Sequence, residues 1–195
     1  TSRGLGDVYK RQVTGAGNGL GKAYAIELGN RGAKVVVNDL GGSVDGSGSG
    51  STPADEVVNE IIANGGEAVA NYDSVATKDG GEAIVQTAID SFGTVDAVIN
   101  NAGILRDKSF AKMTEEELSL IIDVHLKGTF FVSQPAFTVM KEKNYGRIVN
   151  VASPSGLFGN FGQSNYGAAK MGIVGLTNVL AIEGAKYNIT VSYTH

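Results

Sequence analysis

The sequence predicts an α/β fold in which a parallel sheet carries helices on both faces, as a single domain. Three observations predict it. Segments with strand composition alternate with segments of helical periodicity along nearly the whole chain. Valine-rich runs such as "KVVVND" have the continuous apolar character of parallel strands that are buried on both faces. A glycine-rich loop, "TGAGNGLG", lies between the first strand and the first helix, which is typical of a doubly wound, Rossmann-type sheet.

The elements of the first half of the chain alternate between helix and strand. A helix follows the glycine loop, because Leu20, Tyr24 and Leu28 recur at helical spacing, and Gly32 ends it. The next predicted elements are a strand at 34–39, a flexible polar loop at 41–52, a helix at 55–64, a strand at 67–73 and a helix at 77–92.

The same alternation continues in the second half. A strand at 95–100 leads into a sharp "NAG" turn, and a long helix begins at Thr114, with three glutamates in its first turn. A fifth strand at 145–153 precedes an apolar helix at 165–186, which is rich in alanine and glycine. A sixth strand begins at Asn188 and stops almost at once.

The composition excludes several classes of function. The chain has 195 residues, a net charge of −4 and a pI near 5.2, so it can form one core and offers no basic surface to nucleic acid or anionic membrane. It has no cysteine, which excludes disulfides and thiolate chemistry. No apolar run reaches the roughly 18 residues of a membrane span. We also expect no metal site.

The glycine loop predicts a dinucleotide site. Gly15 allows the tight turn, Gly19 lets the backbone approach a pyrophosphate, and Gly21 permits close packing of the helix. The helix N-terminus, with Asn18 and Leu20, then offers unpaired N–H groups to the anion. Taken alone, the glycines are also compatible with a structural turn that binds nothing.

Asp39 predicts which dinucleotide binds. It ends the strand after the first helix, roughly 20 residues beyond the glycine loop, where an acid hydrogen-bonds the adenosine ribose. Its carboxylate would repel a 2′-phosphate, so NAD is favoured over NADP. The alternative is that Asp39 only caps its own loop.

The spacing G-x-x-x-G-x-G, with "NNAG" at 100–103 and "YGAAK" at 166–170, resembles the short-chain dehydrogenase/reductase family. The resemblance covers nearly the whole of 13–189. It implies that the NNAG turn supports the sheet and flanks the nicotinamide, and that "YDSV" at 72–75 contacts adenine. The residues it assigns to the cofactor, besides the glycine loop and Asp39, are Asp73, Ser74, Val75, Asn101, Ala102, Gly103, Tyr166 and Lys170.

The residues Tyr166 and Lys170 predict proton transfer. They stand four positions apart and so share one helix face. A tyrosine is a poor base at neutral pH, but a nearby ammonium and an oxidised nicotinamide both favour its phenolate. The phenol can then exchange a proton with an alcohol or a carbonyl. The resemblance adds Ser153 as the family's serine, which would hydrogen-bond the reacting oxygen.

His125 departs from the family pattern. Many members have an asparagine at this place, which helps to position a water in a proton relay, largely through its backbone. His125, in "VHLKG", can keep that backbone role with a different side-chain role. A histidine that only packs in the core is the alternative.

A narrower resemblance, to the (3R)-hydroxyacyl-CoA dehydrogenases of peroxisomal multifunctional enzymes and their bacterial relatives, rests on longer stretches. They include "VVVNDLGG" with the polar insertion after it, "NNAGILRDKSF", "DVHLKGTF" and "GNFGQSNYGAAK". The implied reaction converts a (3R)-3-hydroxyacyl-CoA and NAD to 3-oxoacyl-CoA, NADH and a proton. The implied compartment is the peroxisome in a eukaryote and the cytoplasm in a bacterium.

Two other functions stay open. One is a 3-oxoacyl-carrier-protein reductase or another short-chain alcohol dehydrogenase, and Asp39 argues against the NADPH-dependent kind. The other is a nucleotide-binding module without catalysis on the same fold. The catalytic trio of Ser153, Tyr166 and Lys170 argues against that module.

The substrate pocket and the assembly follow from the remaining segments. We expect 104–112 and 156–163 to wall the pocket. Arg106, Lys108 and Lys112 either meet CoA phosphates or form a solvated charged face. The apolar helix from Asn165 resembles the helix that this family uses for oligomer contacts, so we expect a homodimer or homotetramer.

The two ends conflict with the rest of the sequence. The stretch "DVYKRQ" precedes the glycine loop, where a buried apolar strand belongs. It can be encoded by GAT GTG TAT AAG AGA CAG, and "VSYTH" by GTC TCT TAT ACA CAT, the reverse complement of a stretch inside the first. We therefore expect 1–12 and 191–195 to be translated sequencing adapter, and 13–190 to be the NAD-binding domain, incomplete at its first strand and after the start of its sixth. A strand threaded from Val8 to Val13 would bury Lys10 or Arg11 near the middle of the sheet, which predicts an unstable or inactive chain.

Overall fold

The computed structural model describes residues 9–43, 45–48 and 50–194. Within them the strands are β1 (Lys10–Thr14), β2 (Lys34–Asn38), β3 (Glu67–Asn71), β4 (Ala97–Asn100), β5 (Gly146–Val151) and β6 (Ile189–Thr194). The α-helices are α1 (Gly19–Asn30), α2 (Thr52–Ala63), α3 (Lys78–Phe92), α4 (Glu115–Ile121), α5 (Gly128–Glu142), α6 (Pro154–Phe158) and α7 (Ser164–Gly184). A π-helical segment (Ile122–Lys127) joins α4 to α5.

The strands form one parallel sheet in the order β3-β2-β1-β4-β5-β6, which confirms the predicted doubly wound fold. After β3 the chain returns to the other side of β1 and continues outward from β4. The loops after β1 and β4 therefore diverge and leave a crevice at the carboxyl ends of these strands, where open α/β sheets bind their ligands.

Alternate residues of β2 separate the core into two layers. Val36 packs into a cluster with side chains of α3 and α5, including Ile84, Val132 and Met140. Its neighbours Val35 and Val37 belong to a second cluster, with side chains of α1 and α2. Because successive residues of a strand point to opposite faces, the two clusters cover the two faces of the sheet.

The helix starts follow capping residues that are visible in the sequence. The Thr77 side chain accepts a hydrogen bond from Gly80 N at 3.1 Å at the start of α3. At the start of α4, Thr114 and Glu117 form a reciprocal capping box. The long helix predicted from Thr114 is present, but the π-helical segment divides it into α4 and α5. The sequence pattern does not predict that division.

In the first strand we expected a buried charge at Lys10 or Arg11, but the fully buried polar residue is Gln12. Lys10 and Arg11 are only partly buried. The Arg11 Nε is itself buried and has no hydrogen-bond partner among the described residues. Gln12 is 0% exposed, and neither its Oε1 nor its Nε2 has a hydrogen-bond partner there. The predicted burial of charge is therefore found only at the Arg11 Nε, and Gln12 is the residue of β1 whose whole side chain is buried without hydrogen bonds.

The last strand is longer than predicted. β6 continues to Thr194 and pairs with β5 along its whole length, from Ile189 opposite Gly146 to Thr194 opposite Val151. The expectation of adapter-derived ends stays a prediction, and residues 1–8 and His195 lie outside the described part of the chain. Among the described helices, none has the length and apolar character that crossing a membrane requires.

Candidate active site

The glycine loop packs too tightly for side chains at Gly15, Gly17 and Gly21. Gly15 has a φ of 61°, and a Cβ there would lie 2.7 Å from the Ala102 Cα. A Cβ on Gly21 would lie 2.0 Å from the Gly15 carbonyl oxygen. The Asn101 Nδ2 donates to Thr14 O at 3.1 Å and to Gly15 O at 2.9 Å. The NNAG turn thus holds the glycine loop in place, at the carboxyl ends of β1 and β4.

The N-terminus of α1 is open for an anion. The first backbone bond of the helix runs from Lys22 N to Asn18 O, so the N–H groups of 19–21 have no partner inside the helix. The Asn18 side chain makes no cap, and a Cβ on Gly19 would have no neighbour within 4 Å. Leu20 is exposed beside it. These residues fit the pyrophosphate of a dinucleotide.

Asp39 lies beside this loop, just beyond the end of β2. Its carboxylate accepts hydrogen bonds from Gly17 N and Gly41 N, both at 2.7 Å. The loop-capping role that the sequence left open is therefore present. It also fixes the negative charge next to the glycine loop, so capping and ribose recognition are compatible in one residue.

The residues predicted to contact adenine follow β3, the strand next to β2. The Asp73 carboxylate accepts from Asn71 Nδ2 at 2.7 Å, and the Asp73 carbonyl accepts from Asn38 Nδ2 at 2.9 Å. Ser74 accepts from Ala76 N at 3.2 Å, and Val75 is buried. This segment and Asp39 thus lie on the same edge of the sheet.

Lys170 is packed between Tyr166 and the end of β5. Its Nζ lies 5.5 Å from the centre of the Tyr166 ring and donates to Val151 O at 2.5 Å. The side chain is 4% exposed, and this burial lowers the pKa of Lys170 to about 8. The Lys170 amine is therefore buried beside the Tyr166 ring.

Ser153 stands two residues beyond Val151, where the chain leaves β5. Its Oγ accepts a hydrogen bond from Ser155 N at 3.2 Å, which caps the short helix α6. Since α6 packs on α7, β5 and α7 carry the three predicted catalytic residues to one region of the structure. A Cβ on Gly156 would lie 2.9 Å from Met171 N, which shows how closely the two helices approach.

His125 is buried in the π-helical segment and contacts Tyr166. Their rings lie 5.1 Å apart, edge to face. The Nε2 lies 3.1 Å from Ile104 N and 2.8 Å from Ile104 O, and it acts as acceptor or donor depending on the tautomer. Burial first, and then the charge of Lys170, lower the pKa of His125 to about 4, so the ring is neutral at neutral pH. The His125 carbonyl accepts from Thr129 Oγ1 at 2.7 Å.

The two segments predicted to wall the pocket contact each other. Lys108 N donates to Gly162 O at 2.8 Å, and the Gln163 side chain donates to Asp107 at 2.8 Å. Lys108 also pairs with Glu117 at 3.2 Å, and Lys112 is exposed. Both lysines therefore fit the charged-face alternative. Arg106 is partly buried, and its Nε has no hydrogen-bond partner among the described residues.

Sequence reasoning missed three groups of polar residues around the site. The Thr14 Oγ1 accepts from Asn101 N and Ala102 N, both at 3.1 Å. Across the sheet, the Asn100 Nδ2 donates to the Asn150 Oδ1 at 2.8 Å. Asn165 makes three hydrogen bonds beside Tyr166. One signal was available, because "VVVN", "AVAN" and "AVIN" each end in an asparagine, which an ordinary buried strand does not require.

Comparisons with known proteins agree with this geometry. A family model for short chain dehydrogenases matches residues 12–195. The chain is 62% identical over 180 residues to the peroxisomal hydratase-dehydrogenase-epimerase of Saccharomyces cerevisiae, with 92% of this chain and 20% of that protein covered. It is 58% identical over 177 residues to the peroxisomal multifunctional enzyme type 2 of Mus musculus, with 91% and 24% covered. The chain thus spans a quarter or less of these two relatives.

A solved structure shows the same architecture over a larger share of its length. The crystal structure of a short chain dehydrogenase from Mycobacterium avium superposes with a TM-score of 0.90 at 46% identity. The match covers 97% of this chain and 68% of that chain.

Proposed function

Because the chain belongs to the short-chain dehydrogenase family, we propose that it oxidises a (3R)-3-hydroxyacyl-CoA to the 3-oxoacyl-CoA with NAD as the hydride acceptor. The family makes the protein an oxidoreductase with a nicotinamide cofactor. The thioester substrate and the choice of NAD are the proposal. The observation that carries it is Lys170, buried against Tyr166 at the end of β5, on the same sheet edge as the glycine loop.

The described residues fit a dinucleotide. The free N–H groups of 19–21 and the open face of Gly19 would hold its pyrophosphate, and Asp39 would hold its ribose. When bound, the nicotinamide ring supplies the acceptor for the hydride that leaves C3 of the substrate. The same carboxylate supports NAD over NADP, because a 2′-phosphate would meet a fixed negative charge.

The protein residues handle the proton. Tyr166 takes the proton of the C3 hydroxyl as the C3–H electron pair leaves and the carbonyl forms. Ser153 hydrogen-bonds the same oxygen and keeps it against the phenol. The Lys170 ammonium lies 5.5 Å from the centre of the Tyr166 ring and keeps a positive charge beside it. A pKa of about 8 allows Lys170 to pass a proton onward near neutral pH.

Exposed aromatic side chains support an acyl substrate. Phe110, Phe158 and Phe161 are 82%, 84% and 90% exposed, and all three lie in the segments that wall the pocket. They offer apolar surface next to a site whose chemistry is polar. An acyl chain is the part of the proposed substrate that such a surface would contact.

The proposed setting follows from the relatives. A relative of this chain is a peroxisomal protein by name, and a structural relative is bacterial, so we place the activity in the peroxisome of a eukaryote or the cytoplasm of a bacterium. Exposed apolar residues on α5 and α7 support a homodimer or homotetramer; they are Phe130, Met171, Val179 and Ile182.

The test is NADH formation from the two stereoisomers of a 3-hydroxyacyl-CoA. The proposal predicts turnover of the (3R) form with NAD and little or none of the (3S) form. A preference for (3S), or for a carrier-protein thioester with NADPH, would overturn it in favour of another dehydrogenase. Nucleotide binding without turnover of any thioester would indicate a non-catalytic module.

A further inference from the structure

Asn165 comes directly before Tyr166 in the first turn of α7, and its side chain is 1% exposed. Its Oδ1 accepts a hydrogen bond from Tyr166 N at 2.7 Å. That N–H is one of the first four of the helix, which have no carbonyl partner within it. The Asn165 amide therefore holds the backbone of Tyr166 itself.

The other end of the same amide reaches two distant segments. Its Nδ2 donates to Arg106 O at 3.0 Å and to Glu117 O at 3.1 Å. Arg106 lies in the loop after β4, and Glu117 lies in α4. Both N–H groups of a buried amide are thus satisfied, and one side chain joins the pocket wall, α4 and the start of α7.

The ring of Tyr166 is held from the same loop. Ile104, two residues before Arg106, contacts the His125 Nε2 through its backbone, and the His125 ring packs edge-on against Tyr166. A Cβ on Gly103 would lie 2.5 Å from the His125 ring. The loop at 103–106 therefore fixes Tyr166 twice, through its backbone by Asn165 and through its ring by His125.

From this arrangement we propose that Asn165 is a positioning residue, which sets where the Tyr166 hydroxyl stands relative to the pocket wall at 104–106. The role concerns the proton transfer of the proposed function and rests on it. Asn165 touches neither the reacting atoms nor the cofactor site. It acts through the backbone of the tyrosine that does.

The first variant is Asn165→Ala, compared with Asn59→Ala on the exposed side of α2. Displacing a reacting group by an ångström costs about 100-fold in rate, so kcat of Asn165→Ala falls by about one to two orders of magnitude. The value of kcat/KM falls with it, because the loss concerns the transition state. The control variant Asn59→Ala behaves as the parent.

The second variant, Asn165→Asp, keeps the shape and the acceptor for Tyr166 N but loses both donors. Its carboxylate would face the carbonyl oxygens of Arg106 and Glu117, and protonation would restore one donor. Measured in the direction of 3-oxoacyl-CoA reduction, its activity relative to the parent should rise as the pH falls. The pH range is limited to values at which circular dichroism shows the variant fully folded, and there a residue that only stabilises the fold gives no such recovery.

A measurement without substrate tests the role of Asn165 independently of the proposed reaction. In protein with isotope-labelled tyrosine, the ζ-carbon resonance of Tyr166 is identified by its loss in Tyr166→Phe. Asn165→Ala is expected to shift that resonance, and Asn59→Ala to leave it in place. If the parent turns over no thioester, the proposed function fails and the resonance alone decides on Asn165.

The proposal is overturned by any of four results. One is a folded Asn165→Ala protein with the parent's kcat. Another is an unshifted Tyr166 resonance in that variant. The third is that both variants fail to fold, because the amide would then serve the fold rather than the tyrosine. Should only Asn165→Ala fail to fold, a flat pH dependence in Asn165→Asp overturns it as well.

Discussion

Burial sets the charges of the two basic side chains around Tyr166. Lys170 and His125 are both buried, and burial is the largest cause of the lowered pKa of each. With values of about 8 and about 4, Lys170 is mostly charged at neutral pH and His125 is neutral. The site thus keeps one cation beside the phenol, and the second ring contributes shape without charge.

His125 makes the stability of the protein depend on pH. Its pKa is about 4 in the folded state against 6.5 ordinarily, so between these values the unfolded chain binds a proton that the folded protein does not. The free energy of unfolding therefore falls as the pH drops from 6.5 towards 4, by up to about 3 kcal/mol, since one pKa unit is worth about 1.4 kcal/mol.

Replacing His125 by Asn removes the pH-dependent part of the free energy of unfolding that His125 causes. We expect urea unfolding of His125→Asn to show a smaller loss of stability than the parent between pH 6.5 and 4, the two ends of the shift. The carboxylates titrate in the same range in both proteins, so the difference between the two isolates His125. Parallel curves would show that the ring is not buried as a neutral group.

Asp39 is expected to decide between NAD and NADP. In Asp39→Asn the fixed carboxylate is gone, so the preference in kcat/KM for NAD over NADP should shrink by about tenfold, or about 1.4 kcal/mol. Steady-state kinetics with both cofactors measures it, and Asp79→Asn, an exposed acid of α3, is the matched control. An unchanged preference in Asp39→Asn would place cofactor choice elsewhere.

At the scale of single residues, the sequence alone predicts contacts between residues that are close to each other in the chain. Tyr166 and Lys170 are one helical turn apart, and their contact could be predicted from that spacing alone. The role of Asn165 could not, because its partners Arg106 and Glu117 are 59 and 48 positions away in the chain. Only the fold brings those carbonyl groups to its amide.

Among the elements, β1 has the least suitable sequence for its place. It lies between β2 and β4 in the sheet, and Gln12 at its centre is fully buried with both amide atoms unpaired among the described residues. A buried polar group without a partner costs about 1–3 kcal/mol. The structure thus supports a local loss of stability, smaller than the one expected from a buried charge.

Gln12→Val is expected to stabilise the protein. Valine has a similar volume and suits a strand buried on both faces, so the unfolding free energy should rise by about 1–3 kcal/mol. Urea denaturation measures it, with Thr190→Val at an exposed position of β6 as the control. A decrease in Gln12→Val would mean that the amide has a partner that the described residues do not reveal.

The elements that sequence periodicity could not predict are those set by tertiary packing. The alternation of apolar residues placed five strands and the main helices. It gave no sign of the π-helical segment, where one extra residue per turn brings His125 under the loop at 103–104. Such a segment is stable only where surrounding contacts support it.

In the whole molecule, the strand order brings distant segments to one edge. The loops after β1, β2, β3, β4 and β5 all open at the carboxyl side of the sheet. Together with the first turn of α1 they carry Ser153 and most of the residues assigned to the cofactor. The loop after β2 contacts the loop after β4, since a Cβ on Gly46 would lie 2.9 Å from the Ile104 side chain. The insertion thus extends from Asp39 to the loop that holds His125.

The overall architecture was predictable because its causes are regular. A glycine loop, valine-rich strands and alternating helices leave few topologies, and parallel crossovers of one hand reduce them further. The length of β6 was not predictable from "NIT" alone, because a strand continues wherever a neighbouring strand offers hydrogen bonds, and β5 does so up to Val151.

The most direct test of the central claim is the turnover of (3R)-3-hydroxyacyl-CoA by Tyr166→Phe. The account predicts a loss in kcat of about 100- to 10,000-fold, the range of general acid–base catalysis, because the ring remains but the proton acceptor is gone. The far-UV circular dichroism of the variant should match that of the parent. Full activity in a folded Tyr166→Phe protein would contradict the mechanism.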